Sequence, residues 1–146
     1  MNFDPDLNRT WWALRAVFGV VPIVAGLDKF LNLLTNWEAY LAPWIPGLVG
    51  FSPEAFMRVV GVIEIAAGIL VLSPFTRIAA YVVMAWLLAI AGSLLVQGRY
   101  LDVAARDVTM AVAALALARL TEARQRALST TPVAVPHLRT SSGHVA

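Results

Sequence analysis

Cysteine is absent from the 146-residue sequence. Its absence excludes disulfides, thiol redox chemistry and iron–sulfur clusters held by thiolates. Histidine is scarce as well, because the two histidines, His137 and His144, both follow the last apolar run of the chain. A haem held by histidine inside an apolar segment is therefore not expected, and no ligand spacing matches a metal site. The sequence predicts no metal and no covalently held cofactor.

Motifs for catalysis and for nucleic-acid binding are also missing. Ser93 has no candidate base near it in sequence, so a hydrolase constellation is not expected. Glycine-rich phosphate loops are absent. The net charge is only +2, and the basic residues flank apolar segments instead of forming a stripe, which argues against nucleic acid as a partner. No catalytic residue is assigned.

Charged residues are few, and apolar residues dominate. The chain is 14% charged and 60% hydrophobic. A soluble domain of this length exposes too much of its surface to hide so many apolar side chains. The apolar residues fall into four runs, and about 20 helical residues suffice to cross a hydrocarbon core about 30 Å thick. We therefore predict an all-α fold, an integral membrane four-helix bundle.

Proline, glycine and polar residues set the predicted bounds of the helices. A transmembrane domain over residues 1–120 contains helices at about 11–34, 53–72, 75–96 and 101–120. Residues 121–146 are polar, and we predict a cytoplasmic polar tail there. Basic residues are more numerous on the side of the two termini, so the positive-inside rule places both termini in the cytoplasm. The sequence thus predicts a multi-pass protein of the cytoplasmic (inner) membrane that contacts membrane lipids.

The segment between the first two helices, residues 35–53, is interrupted by proline and glycine but remains apolar and aromatic. Tryptophan and tyrosine favour the headgroup zone of a bilayer. We therefore predict an interfacial aromatic cap that contains Trp37, Tyr40 and Trp44. These three side chains are either interface anchors or the lining of a ligand's access path, and both interpretations remain open.

Ionisable side chains inside the apolar runs share one depth. Each costs a few kcal/mol in lipid on insertion scales, so each is expected to face protein or water. The rise of a helix places all of them in the outer half of the bundle, beneath the aromatic cap. They are Asp28, Lys29, Arg58, Glu64, Arg106 and Asp107, with Gln97 ending the third helix on the same side. Three positive and three negative charges can neutralise one another. Arg106 is adjacent to Asp107 and is expected to extend outward to the headgroups.

Helical periodicity predicts one specific pairing in this cluster. Small residues let two helix backbones approach closely. One stripe of the first helix and one of the second carry such residues, namely Gly19, Gly26 and Lys29, and Gly61, Glu64 and Gly68. Facing these stripes brings Lys29 toward Glu64. The resulting ion pair either fixes the helix register or belongs to a ligand site.

These motifs resemble those of a known family. The pattern Arg15-x3-Gly19-x6-Gly26-x2-Lys29-Phe30 resembles the first-helix signature of the DoxX-like membrane proteins. Gly61-x2-Glu64-x3-Gly68-x-Leu70, followed by Pro74, Arg77 and Ala79-Ala80, resembles their second helix and the start of the third. Arg106-Asp107 at the start of the last helix fits as well. The resemblance covers about residues 11–120.

The resemblance implies a four-helix membrane bundle, and the family includes the membrane subunit of a thiosulfate:quinone oxidoreductase. Members of this type often carry a histidine near the end of the third helix, where this chain has Gln97. The expected function is a membrane subunit of a respiratory or redox complex that binds a quinone (menaquinone or ubiquinone) or a lipid-like molecule. The expected site contains Lys29, Glu64, Asp107, Asp28 and Arg58 with Trp37, Tyr40, Trp44 and Gln97.

Two other functions remain open at this point. A non-catalytic membrane anchor or assembly subunit would use the ion pairs for packing and would dock a partner protein. A small-molecule transporter is the third interpretation, and it is disfavoured because four helices without an internal repeat leave little room for alternating access. In the first two interpretations the partners are other subunits of a membrane complex.

Overall fold

Four long helices account for most of the fold. The computed structural model describes residues 3–129 and contains no strand in that range. Its elements are α1 (Pro5–Leu31), a 3₁₀ helix (Trp37–Tyr40), α2 (Ile45–Val49), α3 (Pro53–Leu72), α4 (Thr76–Gln97) and α5 (Leu101–Ser129). The predicted all-α class is confirmed.

The four long helices pack as two antiparallel pairs that lie side by side. The most extensive contacts are those of α1 with α3 and of α4 with α5, while α1 also meets α5 and α3 meets α4. One end of the bundle carries the start of α1, the α3–α4 turn and the end of α5, and we call it the termini end. The opposite end, which we call the cap end, carries residues 32–52 and the α4–α5 turn.

Glycines bring α1 and α3 into backbone contact. A Cβ atom added to Gly26 would lie 2.5 Å from the carbonyl oxygen of Gly61, and one added to Gly61 would lie 2.6 Å from that of Gly26. A Cβ atom added to Gly68 would contact the carbonyl oxygen of Gly19 in the same way, seven residues further along each helix. The predicted facing of the two glycine stripes is confirmed, and it shows that α1 and α3 run antiparallel.

The core of the bundle is built from small and aliphatic residues, and the outer surface is apolar too. Val71, Ala80, Ala114, Leu117 and Ala118 are fully buried. The outward faces of the helices expose large apolar side chains, among them Val24, Ile69, Val82 and Val112. Within residues 3–129, α1, α3 and α4 are each long and apolar enough to cross a membrane. An exposed apolar belt of this kind fits a lipid environment, so the fold is that of an integral membrane four-helix bundle.

The first helix begins and ends earlier than predicted. It begins at Pro5 instead of about residue 11, because the Asp4 side chain accepts hydrogen bonds from two backbone N–H groups of the first turn. It ends at Leu31 instead of residue 34, because Asn32 adopts the left-handed conformation with φ 51°. Helices α3 and α4 correspond to the predicted second and third helices, and their bounds agree with the prediction to within one residue.

The last helix continues well beyond its predicted end. α5 runs to Ser129, so the prediction that the helix ends at about residue 120 was wrong. This stretch is rich in alanine, arginine, glutamate and glutamine, which favour helix even where no apolar face continues. Side-chain contacts also hold it against the bundle: Trp11 Nε1 donates to Thr121 Oγ1 at 2.7 Å, and Arg124 Nε donates to Asn8 Oδ1 at 3.0 Å. The rest of the predicted tail, residues 130–146, lies outside the described residues.

Candidate functional site

A buried ion pair joins α1 to α3 near the cap end. Lys29 Nζ lies 2.6 Å from Glu64 Oε2, and the two side chains are 4% and 16% exposed. The pair sits beside the close approach of Gly26 and Gly61, since a Cβ on Gly61 would lie 3.2 Å from the Lys29 Cβ. The backbone contact therefore positions the pair, as the sequence predicted. Removing either partner would leave an uncompensated charge in an apolar surrounding.

Trp37, on the 3₁₀ helix, covers the ion pair from the cap end. The Lys29 ammonium lies 3.7 Å from the centre of the Trp37 ring, within the range of a cation–π interaction. The indole Nε1 of Trp37 donates a hydrogen bond to Asp28 Oδ2 at 2.7 Å. Trp37 thus contacts both Asp28 and Lys29, which are adjacent residues near the end of α1.

Asp28 closes the carboxyl end of α1. Its carboxylate accepts hydrogen bonds from the backbone N–H groups of Leu33 and Leu34 at 3.0 to 3.1 Å, in addition to the bond from Trp37. These bonds redirect the chain after Asn32 and fix the start of the cap. Asp28 was predicted to line the ligand site, and the structure gives it a positioning role with its acceptor oxygens occupied.

Asp107 supplies a second carboxylate at this level of the bundle. It is a buried residue on α5, 6% exposed. The charged atom in contact with it is Nε of the neighbouring Arg106, at 3.7 Å from Asp107 Oδ1. The Arg106 side chain is 69% exposed, as predicted for an arginine that extends outward. Asp107 also lies close enough to Glu64 for the two carboxylates to repel each other. With Asp28, Lys29 and Glu64, the cap end of the bundle therefore holds one ammonium and three carboxylates.

The aromatic side chains of the cap form a connected row. The Tyr40 ring lies 6.4 Å from the Trp37 ring and 4.6 Å from the Tyr100 ring, measured between centroids. Tyr100 belongs to the α4–α5 turn and has a positive φ of 54°. The row thus connects the end of α1 to the far helix pair. Sequence reasoning missed Tyr100, although an aromatic residue two positions after Gly98, which ends α4, was a usable signal.

Three predicted site residues do not join the cluster. Arg58 is exposed and pairs with Glu54 one turn earlier on α3, at 2.6 Å. An arginine this near the end of a helix extends its charged group to water at a lower free-energy cost than into the apolar bundle. The prediction that Arg58 belongs to the buried cluster was therefore wrong. Trp44, the residue before α2, is 54% exposed. Gln97 donates to the Ser93 carbonyl oxygen of its own helix at 3.2 Å.

The arrangement offers hydrogen bonding and proton exchange rather than metal binding. No group of three or more His, Asp or Glu side chains within residues 3–129 is placed to hold a metal ion. An ammonium with three N–H groups gives one to Glu64 and keeps others for a further acceptor. Glu64 and Asp107 can each hold or release a proton. The site therefore offers a hydrogen-bond donor beside ionisable carboxylates.

The fold and this cluster define a class: a small polytopic membrane bundle with an ion pair buried beneath an aromatic cap. The chain belongs to the DoxX family, whose model matches residues 10–98. The match includes α1, the cap, α3 and α4, and with them Lys29, Trp37 and Glu64. Neither the comparison with curated proteins nor the comparison with solved structures gives a match.

Proposed function

We propose that this DoxX-family protein is the membrane subunit of a redox enzyme complex and holds the head group of a quinone or a lipid-like molecule beneath its cap. The observation that carries the proposal is the buried set of Lys29, Glu64 and Asp107, which combines one hydrogen-bond donor with two proton-exchanging carboxylates. We place the protein in the cytoplasmic membrane with both termini in the cytoplasm, on the arginines of the termini end.

The side chains present fit a quinone (menaquinone or ubiquinone). A quinone supplies reversible uptake of electrons and protons, which no side chain of this cysteine-free chain supplies alone. Lys29 would donate a hydrogen bond to a head-group oxygen, and Glu64 and Asp107 would hold protons near it. Trp37 and Tyr40, in the aromatic row, would limit water access from the cap end.

The test is the Glu64→Gln variant, compared with the wild type for quinone that copurifies with the protein. The glutamine carbonyl still accepts a hydrogen bond from Lys29, so the bundle is expected to fold while the charge and the exchangeable proton are lost. Loss of one charge-assisted contact weakens binding by about tenfold or more. Solvent extraction and chromatography of the purified protein measure the quinone content.

Glu54→Gln is the matched control. It makes the same substitution on the same helix, but Glu54 is 61% exposed and pairs with Arg58. The proposal predicts wild-type quinone content for this variant. Equal quinone content in Glu64→Gln and the wild type, or an equal loss in both variants, contradicts the site assignment.

A second candidate function, a non-catalytic anchor or assembly subunit, is favoured by a different observation. An ion pair, a hydrogen bond and a cation–π contact among Asp28, Lys29, Trp37 and Glu64 tie α1, the cap and α3 together. Such a network serves packing without any ligand. Under this proposal a partner subunit binds elsewhere, and truncation after Ser129 would release the partner while the bundle stays intact. Retention of the partner by the truncated chain would place docking on the helices instead.

A further inference from the structure

The termini end contains a cavity that the cap-end site does not involve. It has a volume of about 130 Å³ and lies between the start of α1, the α3–α4 turn and the end of α5. Its lining consists of Trp11, Arg15, Ser73, Pro74, Thr76, Thr121, Arg124 and Gln125. Two arginines and several polar side chains thus surround a space at the end of an otherwise apolar bundle.

Within residues 3–129, the two arginines carry positive charge that no carboxylate neutralises. Neither Arg15 nor Arg124 forms an ion pair within residues 3–129, and the two lie close enough to repel each other. Both guanidiniums stack on Trp11, with 4.9 Å and 4.4 Å between the guanidinium carbon and the ring centre. The tryptophan is itself fixed by its hydrogen bond to Thr121. The cavity is therefore electropositive, and its cations are held in place.

The fold uses only some of the hydrogen-bond donors of Arg15. Its Nε and one terminal nitrogen donate to the carbonyl oxygens of Val71, Leu72 and Ser73 at the end of α3. This contact complements the negative end of that helix dipole. The other terminal nitrogen of Arg15 keeps its N–H groups for a further acceptor.

Arg124 has still more donors left. Its Nε bonds to the Asn8 side chain, and both of its terminal nitrogens are free of hydrogen bonds within the described chain. The hydroxyls of Thr76 and Thr121 are occupied, since each donates to a backbone carbonyl oxygen. The lining side chains with donors left within the described residues are thus the two guanidiniums and the Gln125 amide, and the planar fork of a guanidinium matches two oxygens of a phosphate.

We propose that this cavity binds a phosphate-ester anion between Arg15 and Arg124. It lies at the end of the apolar belt, where the phosphates of a bilayer lie. Two kinds of molecule could supply such an anion, namely an anionic phospholipid through its headgroup and a soluble phosphate. The site is separate from the cap-end cluster and does not depend on the function proposed for that cluster.

Native mass spectrometry of the full-length protein in a non-ionic detergent tests the proposal. The probes are dihexanoyl phosphatidylglycerol, dihexanoyl phosphatidylcholine and inorganic phosphate. Retention of phosphatidylglycerol in preference to phosphatidylcholine, without competition from inorganic phosphate, supports the lipid as the source. Competition by inorganic phosphate supports a soluble anion. Binding of none of the three overturns the proposal.

Two variants separate binding from folding. Arg15 is left unchanged because it also holds the end of α3. Arg124→Gln is expected to weaken binding by about tenfold or more, as for loss of a charge-assisted contact. Arg119→Gln removes the same charge from the same helix, but that side chain is 69% exposed and pairs with Glu122. This control should bind as the wild type does, and an equal loss in both variants overturns the proposal.

Discussion

Lys29 Nζ and Glu64 Oε2 lie 2.6 Å apart inside the bundle, directly beside the point where the backbones of α1 and α3 touch. Neither feature is independent of the other. The glycine contact removes the space that side chains would occupy, and the ion pair fixes which residues face each other at that depth. The relationship places a charged pair inside the bundle, and it also makes the bundle sensitive to changes at either residue.

Loss of one member of the ion pair should destabilise the bundle more than loss of both. Lys29→Met leaves the Glu64 carboxylate buried and unpaired, and breaking a buried pair costs about 3 to 5 kcal/mol. The double variant Lys29→Met, Glu64→Met should recover most of this loss. Unfolding in detergent, followed by circular dichroism, measures both. The exposed pair of Glu54 and Arg58 is the control, because Arg58→Met should cost about 1 kcal/mol or less. A double variant as unstable as Lys29→Met would contradict the account.

Alanine at the helix contact should be more harmful than alanine at an open glycine. In Gly26→Ala the new Cβ would lie 2.5 Å from the Gly61 carbonyl oxygen, so α1 and α3 must separate. Overpacking of this kind costs about 1 to 3 kcal/mol. Gly92, on α4, has no atom within 4 Å of its would-be Cβ, so Gly92→Ala should stabilise its helix by about 0.5 to 1 kcal/mol. Thermal unfolding compares the two, and equal effects would argue against the close contact.

Asp28 should protect the amide hydrogens that follow α1. Asp28→Ala removes the acceptor for the N–H groups of Leu33 and Leu34, so these amides should exchange with solvent faster. Ser52→Ala is the matched variant, because the Ser52 hydroxyl accepts from the Ala55 N–H at the start of α3. Hydrogen exchange followed by mass spectrometry should show each effect only at its own helix end. Unchanged exchange at residues 33 and 34 in Asp28→Ala would exclude this role.

The link between α4 and the end of α5 should depend on pH. A hydrogen bond from the Tyr81 hydroxyl, helped by Arg119, lowers the pKa of Glu122 below its ordinary 4.5, and Glu122 lies beyond the predicted span of α5. A carboxyl whose pKa is lower in the folded state stabilises the fold above the unfolded pKa and loses that contribution as the pH falls through the folded pKa.

The Tyr81→Phe variant tests this link. It should melt at a lower temperature than the wild type at pH 7, and the difference should shrink as the pH falls below 4.5. Melting curves of both proteins over this pH range are the measurement. A difference that stays constant down to the lowest pH would show that the hydroxyl does not act through Glu122.

The sequence predicted the features that follow from local periodicity. Apolar runs gave the four helices, and glycine spacing gave the α1–α3 contact with its Lys29–Glu64 pair. Periodicity does not predict the direction in which a long, flexible side chain extends. Arg58 lies at nearly the depth expected, yet its flexible side chain pairs with Glu54 outside the bundle.

The end of α5 and the cavity at the termini end were missed for a related reason. Residues 121–129 lose the apolar periodicity of a span, so they read as a tail, although their helix propensity and the contacts of Thr121 and Arg124 keep them helical. The cavity joins residues more than 100 positions apart, such as Trp11 and Thr121. No spacing pattern along the chain predicts such a contact.

Native mass spectrometry of the protein released gently from its own membrane tests the central claim most directly. The proposed function predicts a complex with the subunits of an oxidoreductase and an added mass that matches a quinone. A complex without small-molecule mass would support the anchor function instead. A bare monomer or homo-oligomer, with neither partner nor quinone, would contradict the account.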